Sequence, residues 1–211
     1  MQKIVYILFF LFIYTTNVQA WFWQDKNIQF YKKEYNEDTV TVINHSHKIY
    51  TKFEYTKKLL LNFSTLKKGM NNNIDFFEDL LNEWNYSKRE IESLYKEFIT
   101  SVKSADNYLL KIKEETKLIA TKERRELEDK KNIQLENKYI VRLKRSKAII
   151  EQLNIANIRL KDTIIQLKLK VARMEFPNQS DFTNYDNIFQ SMKQDFNSLD
   201  KLGQELINEN F

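Results

Sequence analysis

The residues that could do chemistry are few. The chain has two histidines, His45 and His47, and no cysteine. Their spacing puts the pair on different faces of a helix, so they cannot share an ion there. On a strand they could, but a third ligand of the usual set would be missing. With only two glycines there is no phosphate-cradling loop. No Glu-x-x-His pair of the kind that holds two irons inside a helical bundle is present. Carboxylates are scattered along charged faces, and no Ser, His and Asp constellation stands out. An enzyme is therefore not expected, and neither a metal nor another cofactor.

Charge is the stronger signal. From residue 122 to 147 the chain carries Lys122, Arg124, Arg125, Lys130, Lys131, Lys138, Arg142, Lys144, Arg145 and Lys147, with Glu123, Glu126, Glu128, Asp129 and Glu136 among them. Lys138 to Lys147 holds five basic residues and no acid. One use of such a run is a solvated, salt-laced helical tip. The other is contact with an anionic membrane or a sulfated glycan, where each basic side chain near the surface contributes about 1 kcal/mol. The full chain is only mildly basic, at +5, which does not argue for nucleic acid as a partner. Asn44, Asn62, Asn85 and Asn178 each open an Asn-x-Ser triplet, the glycosylation acceptor pattern. In a chain this rich in Asn, about two such triplets arise by chance.

The elements that must position these residues are helices. Tyr139, Leu143, Ser146, Ile150, Leu153, Asn157, Leu160, Ile164, Leu167, Val171 and Met174 step by four and three without a slip. That spacing predicts a helix of roughly 36 residues, about 54 Å long, with one apolar seam. Phe77, Leu81, Trp84, Lys88, Ile91, Tyr95, Phe98, Val102, Ala105, Leu109, Ile112, Thr116 and Ile119 follow the same steps. This second helix begins near Ile74 and continues to about Leu127. The chain is then expected to turn near Lys130 to Gln134, although no glycine or proline marks the place. Four seam positions are polar: Lys88 and Thr116 on one helix, Ser146 and Asn157 on the other. A polar seam residue weakens packing while fixing register. A seam broken in this way also describes a metastable core, able to open and present amphipathic faces to a membrane.

Two shorter helices complete the set. The first starts near Thr39 to Val42 and carries Val42, Ser46, Ile49, Phe53, Thr56, Leu60 and Phe63 to a C-cap at Gly69. Asn73 then caps the next helix. The fourth follows Pro177, is capped by Ser180 or Asn184, and carries Tyr185, Phe189, Met192, Phe196, Leu199, Gly203 and Leu206. These two have roughly 27 residues each against 40 to 50 for the long pair. With 42% hydrophobic and 30% charged residues and a single proline, the fold class is all-α: an up-down-up-down four-helix bundle, its two long central helices forming a coiled-coil hairpin flanked by two shorter ones. The end around Lys122 to Lys147 either projects as a two-helix finger or is covered only by the N-terminal aromatic segment.

Residues 1–20 read as a secretory signal peptide: Lys3, the apolar run Ile4 to Tyr14, and a small-x-small site at Val18-Gln19-Ala20. Residues 21–38 are an aromatic N-terminal segment opening on Trp21, Phe22 and Trp23. They suit either a membrane-interface anchor or a strap tucked on the bundle. Residues 39–211 form a single helical-bundle domain. The chain is thus expected to be secreted, to a secretory vesicle or outside the cell, and a monomer is favoured over a dimer.

The composition is rich in Asn, Lys, Ile and Tyr and poor in Ala, Gly and Pro, as in very AT-rich coding sequences. Together with the signal peptide, the absence of cysteine and the four amphipathic helices with polar breaks at Lys88, Thr116, Ser146 and Asn157, the chain resembles the small secreted microneme proteins that malaria sporozoites use for host-cell traversal. The resemblance implies a role in crossing host-cell barriers, on or near membranes, and carries over no individual residue. The alternative is an exported structural, adaptor or adhesion subunit of a secretion or conjugation apparatus, binding a protein partner.

Overall fold

The computed structural model describes residues 2–65, 73–173, 175, 177 and 179–208, with side chains over 28–60, 75–173, 175, 177 and 181–208. Four helices follow one another: α1 (Gln2–Thr65), α2 (Asn73–Lys117), α3 (Lys122–Ala172) and α4 (Gln179–Asn208). The protein is all-α, with its helices packed as a bundle. It divides into two compact units, Met1–Glu37 with Ser101–Lys138, and Asp38–Thr100 with Tyr139–Phe211.

The larger unit is a four-helix bundle with up-down-up-down order, as cross-helix contacts establish. His45 meets Glu90 while Lys52, further along α1, meets the earlier Glu83, so α1 and α2 are antiparallel. The Trp84 indole N–H donates to the Asn157 carbonyl at 2.7 Å, and Glu78 pairs with Lys168, which sets α3 against α2. Lys170 meets Asp181 at 2.6 Å and Arg142 meets Glu205 at 3.5 Å, which sets α4 against α3. Lys57–Asp186 and His47–Asp200 close α4 onto α1. Gly203 lets these last two helices approach: a Cβ there would lie 2.6 Å from Ile43 Cγ1.

The α3 seam is where the spacing placed it, with Ile150, Leu153, Asn157, Leu160, Ile164 and Leu167 all buried. The α4 seam from Tyr185 to Leu206 is buried throughout. On α2 the register differs at every second position. Phe77, Trp84, Ile91 and Phe98 are buried as expected, but the positions between them are Leu80, Ser87, Leu94 and Ser101 rather than Leu81, Lys88, Tyr95 and Val102. Leu80 and Leu81 are equally apolar, so periodicity alone could not choose between steps of three-then-four and four-then-three. Packing chose the register that buries a serine and leaves a lysine in water.

The smaller unit joins the start of α1 to the α2–α3 turn. Tyr35 stacks on Tyr108, with ring centroids 6.3 Å apart and planes 11° from parallel, and both rings are buried. Within this unit the N-terminal segment packs on α2 through Tyr35. The segment is itself helical. Tyr35 and Thr39 extend the four-three steps of Val42 and Ser46 upstream, so α1 is a helix of 64 residues rather than roughly 27. Trp21, Phe22 and Trp23 fall outside the described side chains.

The turn between α2 and α3 lies at residues 118–121, earlier than Lys130 to Gln134. The α2 seam had already run out there. The Leu118 and Ile119 N–H groups donate back to the carbonyls of Glu115 and Thr116 and close α2. The Thr121 carbonyl accepts the Arg125 N–H at 3.0 Å and opens α3, with Glu123 complementing the new helix dipole. The charged run after it is made of good helix formers and belongs wholly to α3. At the far end of α3 the Glu175 N–H donates to the Lys170 carbonyl at 2.9 Å, the long-range bond of a Schellman ending. α4 begins at Gln179, ahead of Ser180 and Asn184, and Gly69 lies outside the described residues.

Candidate functional site

The polar seam residues do not share one fate. Lys88 is exposed on α2 and pairs with Glu92 at 3.7 Å, so it is no seam residue. Thr116, Ser146 and Asn157 are buried. Thr116 is satisfied: its hydroxyl donates to the Ile112 carbonyl at 2.9 Å and accepts from the Asn132 amide of α3 at 2.8 Å. A buried hydroxyl–amide pair across two helices fixes their register.

Asn157 is the opposite case. It sits at the centre of the four-helix unit at 0% exposure, and neither its amide nitrogen nor its amide oxygen has a hydrogen-bond partner among the described residues. Trp84 uses the Asn157 main-chain carbonyl and leaves the side chain unaided. The Tyr185 hydroxyl on α4 is likewise buried without a partner, and burial pushes its ionisation well above the usual tyrosine range. Each buried polar group left unpaired costs about 1–3 kcal/mol. Serine and threonine at Ser46, Thr56, Ser87 and Thr163 further dilute the same core.

The ten basic residues are divided between the two units. Lys122, Arg124, Arg125, Lys130, Lys131 and Lys138 belong to the smaller unit, and Arg142, Lys144, Arg145 and Lys147 to the larger. They also run round α3 on several faces, because the run has no helical period. Several are paired: Lys122 with Glu126, Lys131 with Glu128, Lys147 with Glu151 and Arg142 with Glu205 of α4. Within the smaller unit, Arg124, Lys131 and Lys138 recur every seven residues and share one exposed face with Leu127. The turn adds Leu118, 61% exposed, between Lys117 and Lys122. Asn44 and Asn85 of the glycosylation triplets are exposed on α1 and α2.

The histidines face different helices, as their spacing requires. His47 reaches Asp200 of α4 at 3.2 Å. His45 is largely enclosed and lies between two carboxylates of α2, with Nδ1 2.7 Å from Glu97 Oε2 and Nε2 3.1 Å from Glu90 Oε2. Lys48 adds a contact to Glu90 at 3.4 Å. Burial works against the Glu90 charge, but hydrogen bonds from Tyr86, His45 and Lys48 outweigh it and hold the carboxyl below its usual range. The sequence reading missed this cluster. Its signal was there: Glu90 and Glu97 are seven apart, and each directly precedes a buried seam residue, as His45 precedes Ser46. The carboxylates occupy opposite ring nitrogens and do not converge. Among the described residues no three ligand-type side chains could hold one metal ion.

Beside Trp84, α2 and α3 leave a groove of about 690 Å³, walled by Ile91, Tyr95, Ile150 and Ile158 and edged by Lys88, Lys96 and Lys161 with Glu92, Glu151 and Asp162. Among the described residues no helix is long and apolar enough to cross a membrane. No protein-family model, curated protein or solved structure matches the chain.

Proposed function

We propose that the protein is an exported, non-enzymatic helical bundle that acts on membranes, in host-cell traversal or invasion, by opening a core built to be marginal. The observation that carries this reading is Asn157, enclosed at the centre of the four-helix unit with both amide atoms unpaired. A core that holds an unpaired amide and an unpaired tyrosine hydroxyl gives up little when its helices separate. Separation would free the amphipathic faces of α2 and α4, which suit the boundary between headgroups and acyl chains. The exposed Leu118 between Lys117 and Lys122, with Arg124, Lys131 and Lys138 on the adjoining helix, offers a first contact with anionic lipid. Residues 1–20 serve in this account as the export signal and are removed.

The test is dye leakage from anionic vesicles by the chain beginning at Trp21, beside a variant with Arg142, Lys144, Arg145 and Lys147 replaced by Gln and another with Arg124, Lys131 and Lys138 so replaced. Leakage that falls in either variant supports the reading and locates the contact. Absence of binding to every lipid mixture sinks it. The groove beside Trp84 favours the second reading, an exported adaptor or adhesion subunit, because exposed Ile158 and Tyr95 there suit a protein partner. That reading predicts no lipid binding and loss of partner capture on Ile158→Glu.

A further inference from the structure

We propose that His45, Glu90 and Glu97 form a proton-operated clasp between α1 and α2, closed while the imidazole is charged and loosened when it loses its proton. The number of hydrogen-bond donors on the ring decides its state. A neutral imidazole has one N–H and one lone pair, whereas an imidazolium has two N–H groups. Here each ring nitrogen lies within hydrogen-bond distance of a different carboxylate, 2.7 Å to Glu97 and 3.1 Å to Glu90. With both glutamates ionised, only the charged ring can donate to both. Removing its proton turns one nitrogen's lone pair towards a carboxylate oxygen, and a charge-assisted bond becomes a repulsion.

The placement makes this contact matter. Glu90 and Glu97 stand seven residues apart on one face of α2, so His45 ties α1 across two turns of its neighbour. The side chain of His45 is only 12% exposed and that of Glu90 19%, so water screens the pair little. The charged and titratable groups that face the ring are Glu90, Glu97 and, through Glu90, Lys48 of α1 and Tyr86 of α2. On the α4 side, Asp200 is engaged by His47 instead. Lys48 keeps Glu90 charged when the ring is neutral, which preserves the repulsion.

The sign follows. The clasp strengthens the bundle on the acid side of the range in which histidines titrate and weakens it as pH rises through that range. Such a device would keep the bundle shut in a mildly acidic vesicle and ease it on release to neutral surroundings. The clasp itself does not depend on the membrane reading, because it is a property of the folded chain in water.

The test is thermal melting of the full chain between about pH 5.5 and 7.5, the range in which histidine changes charge. The wild type is expected to lose about 5 °C across it, the size of one charge-assisted bond in a chain of this length. His45→Gln should abolish that slope and His47→Gln should retain it. Should His45→Gln fold poorly, the pair Glu90→Gln with Glu97→Gln gives the same answer, since a neutral ring then finds donors and acceptors on both sides. A flat wild-type profile would overturn the clasp, as would a slope that survives both His45→Gln and the double glutamine variant.

Discussion

Replacing Asn157 by Leu should make this protein more stable, against the usual direction of core substitutions. Asn and Leu share the same branched skeleton of four side-chain heavy atoms, so the change opens no cavity, while the bulkier methyl groups ask the neighbouring side chains to give a little. It removes an amide whose two polar atoms are buried and unpaired. Relief of that penalty is worth about 1–3 kcal/mol, and burying a leucine side chain adds about 1.5–3 kcal/mol of transfer free energy. Allowing for imperfect packing, a net gain of about 2–4 kcal/mol is expected, or roughly 5–12 °C for a chain of this size. The bond from Trp84 survives, because it ends on the main-chain carbonyl of residue 157. Urea unfolding followed by far-UV circular dichroism measures the gain directly, and Trp84 fluorescence checks that the core stays intact. A variant no more stable than the parent would refute the reasoning, for the amide would then have to be satisfied in solution. If the marginal core serves membrane action, the stabilised variant should also leak vesicles more slowly.

Other consequences follow from the same structure. Tyr185→Phe deletes a buried unpaired hydroxyl and should stabilise by about 1 kcal/mol. It should also remove an alkaline loss of stability, since folded Tyr185 holds its proton above the usual tyrosine range near pH 10 while the unfolded chain releases it. A melting series through that range reads both effects. For the α2 register, Lys88→Ala should shift stability by under about 0.5 kcal/mol, whereas Ser87→Lys buries a charge and should cost about 3 kcal/mol or more, a contrast visible in denaturant titration. Gly203→Ala sets a Cβ against Ile43 and should destabilise by about 1–2 kcal/mol despite alanine's better helix propensity, and in an Ile43→Ala background, which removes both the Cγ1 and the Cδ1 in its way, most of that loss should vanish in a double-mutant cycle.

Much of the fold was legible because helical period and burial agree wherever only one register buries apolar residues. On α3, Gln152 and Asn154 flank Leu153, Arg159 and Lys161 flank Leu160, and Gln166 and Lys168 flank Leu167, so these three leucines fixed the seam even where Ile149 and Ile165 offered apolar neighbours. On α2, paired apolar neighbours such as Leu80 and Leu81 made two registers equivalent, and Lys88 was misplaced for that reason. The α2–α3 turn carries Ile and Thr where turn residues are usual, so its position depended on the end of a seam rather than on local chemistry. Asn157 was marked by the sequence as a polar break, but only packing separates it from Thr116, one unpaired and the other locked to Asn132. For the histidine cluster, the spacing of Glu90 and Glu97 marks a shared flank of α2, but which flank of α1 faces it is settled only by packing.

Whether the bundle must open to act on membranes is tested most directly by a reversible lock. The chain has no cysteine, so Ile43→Cys with Gly203→Cys gives one unique pair at a close approach of α1 and α4. The approach suits the Cβ separation of roughly 3.5–4.5 Å that a disulfide needs. Leakage of anionic vesicles should be abolished in the oxidised protein and return when a reductant breaks the bond. Equal leakage from the oxidised and reduced forms would contradict opening as the means by which this bundle works.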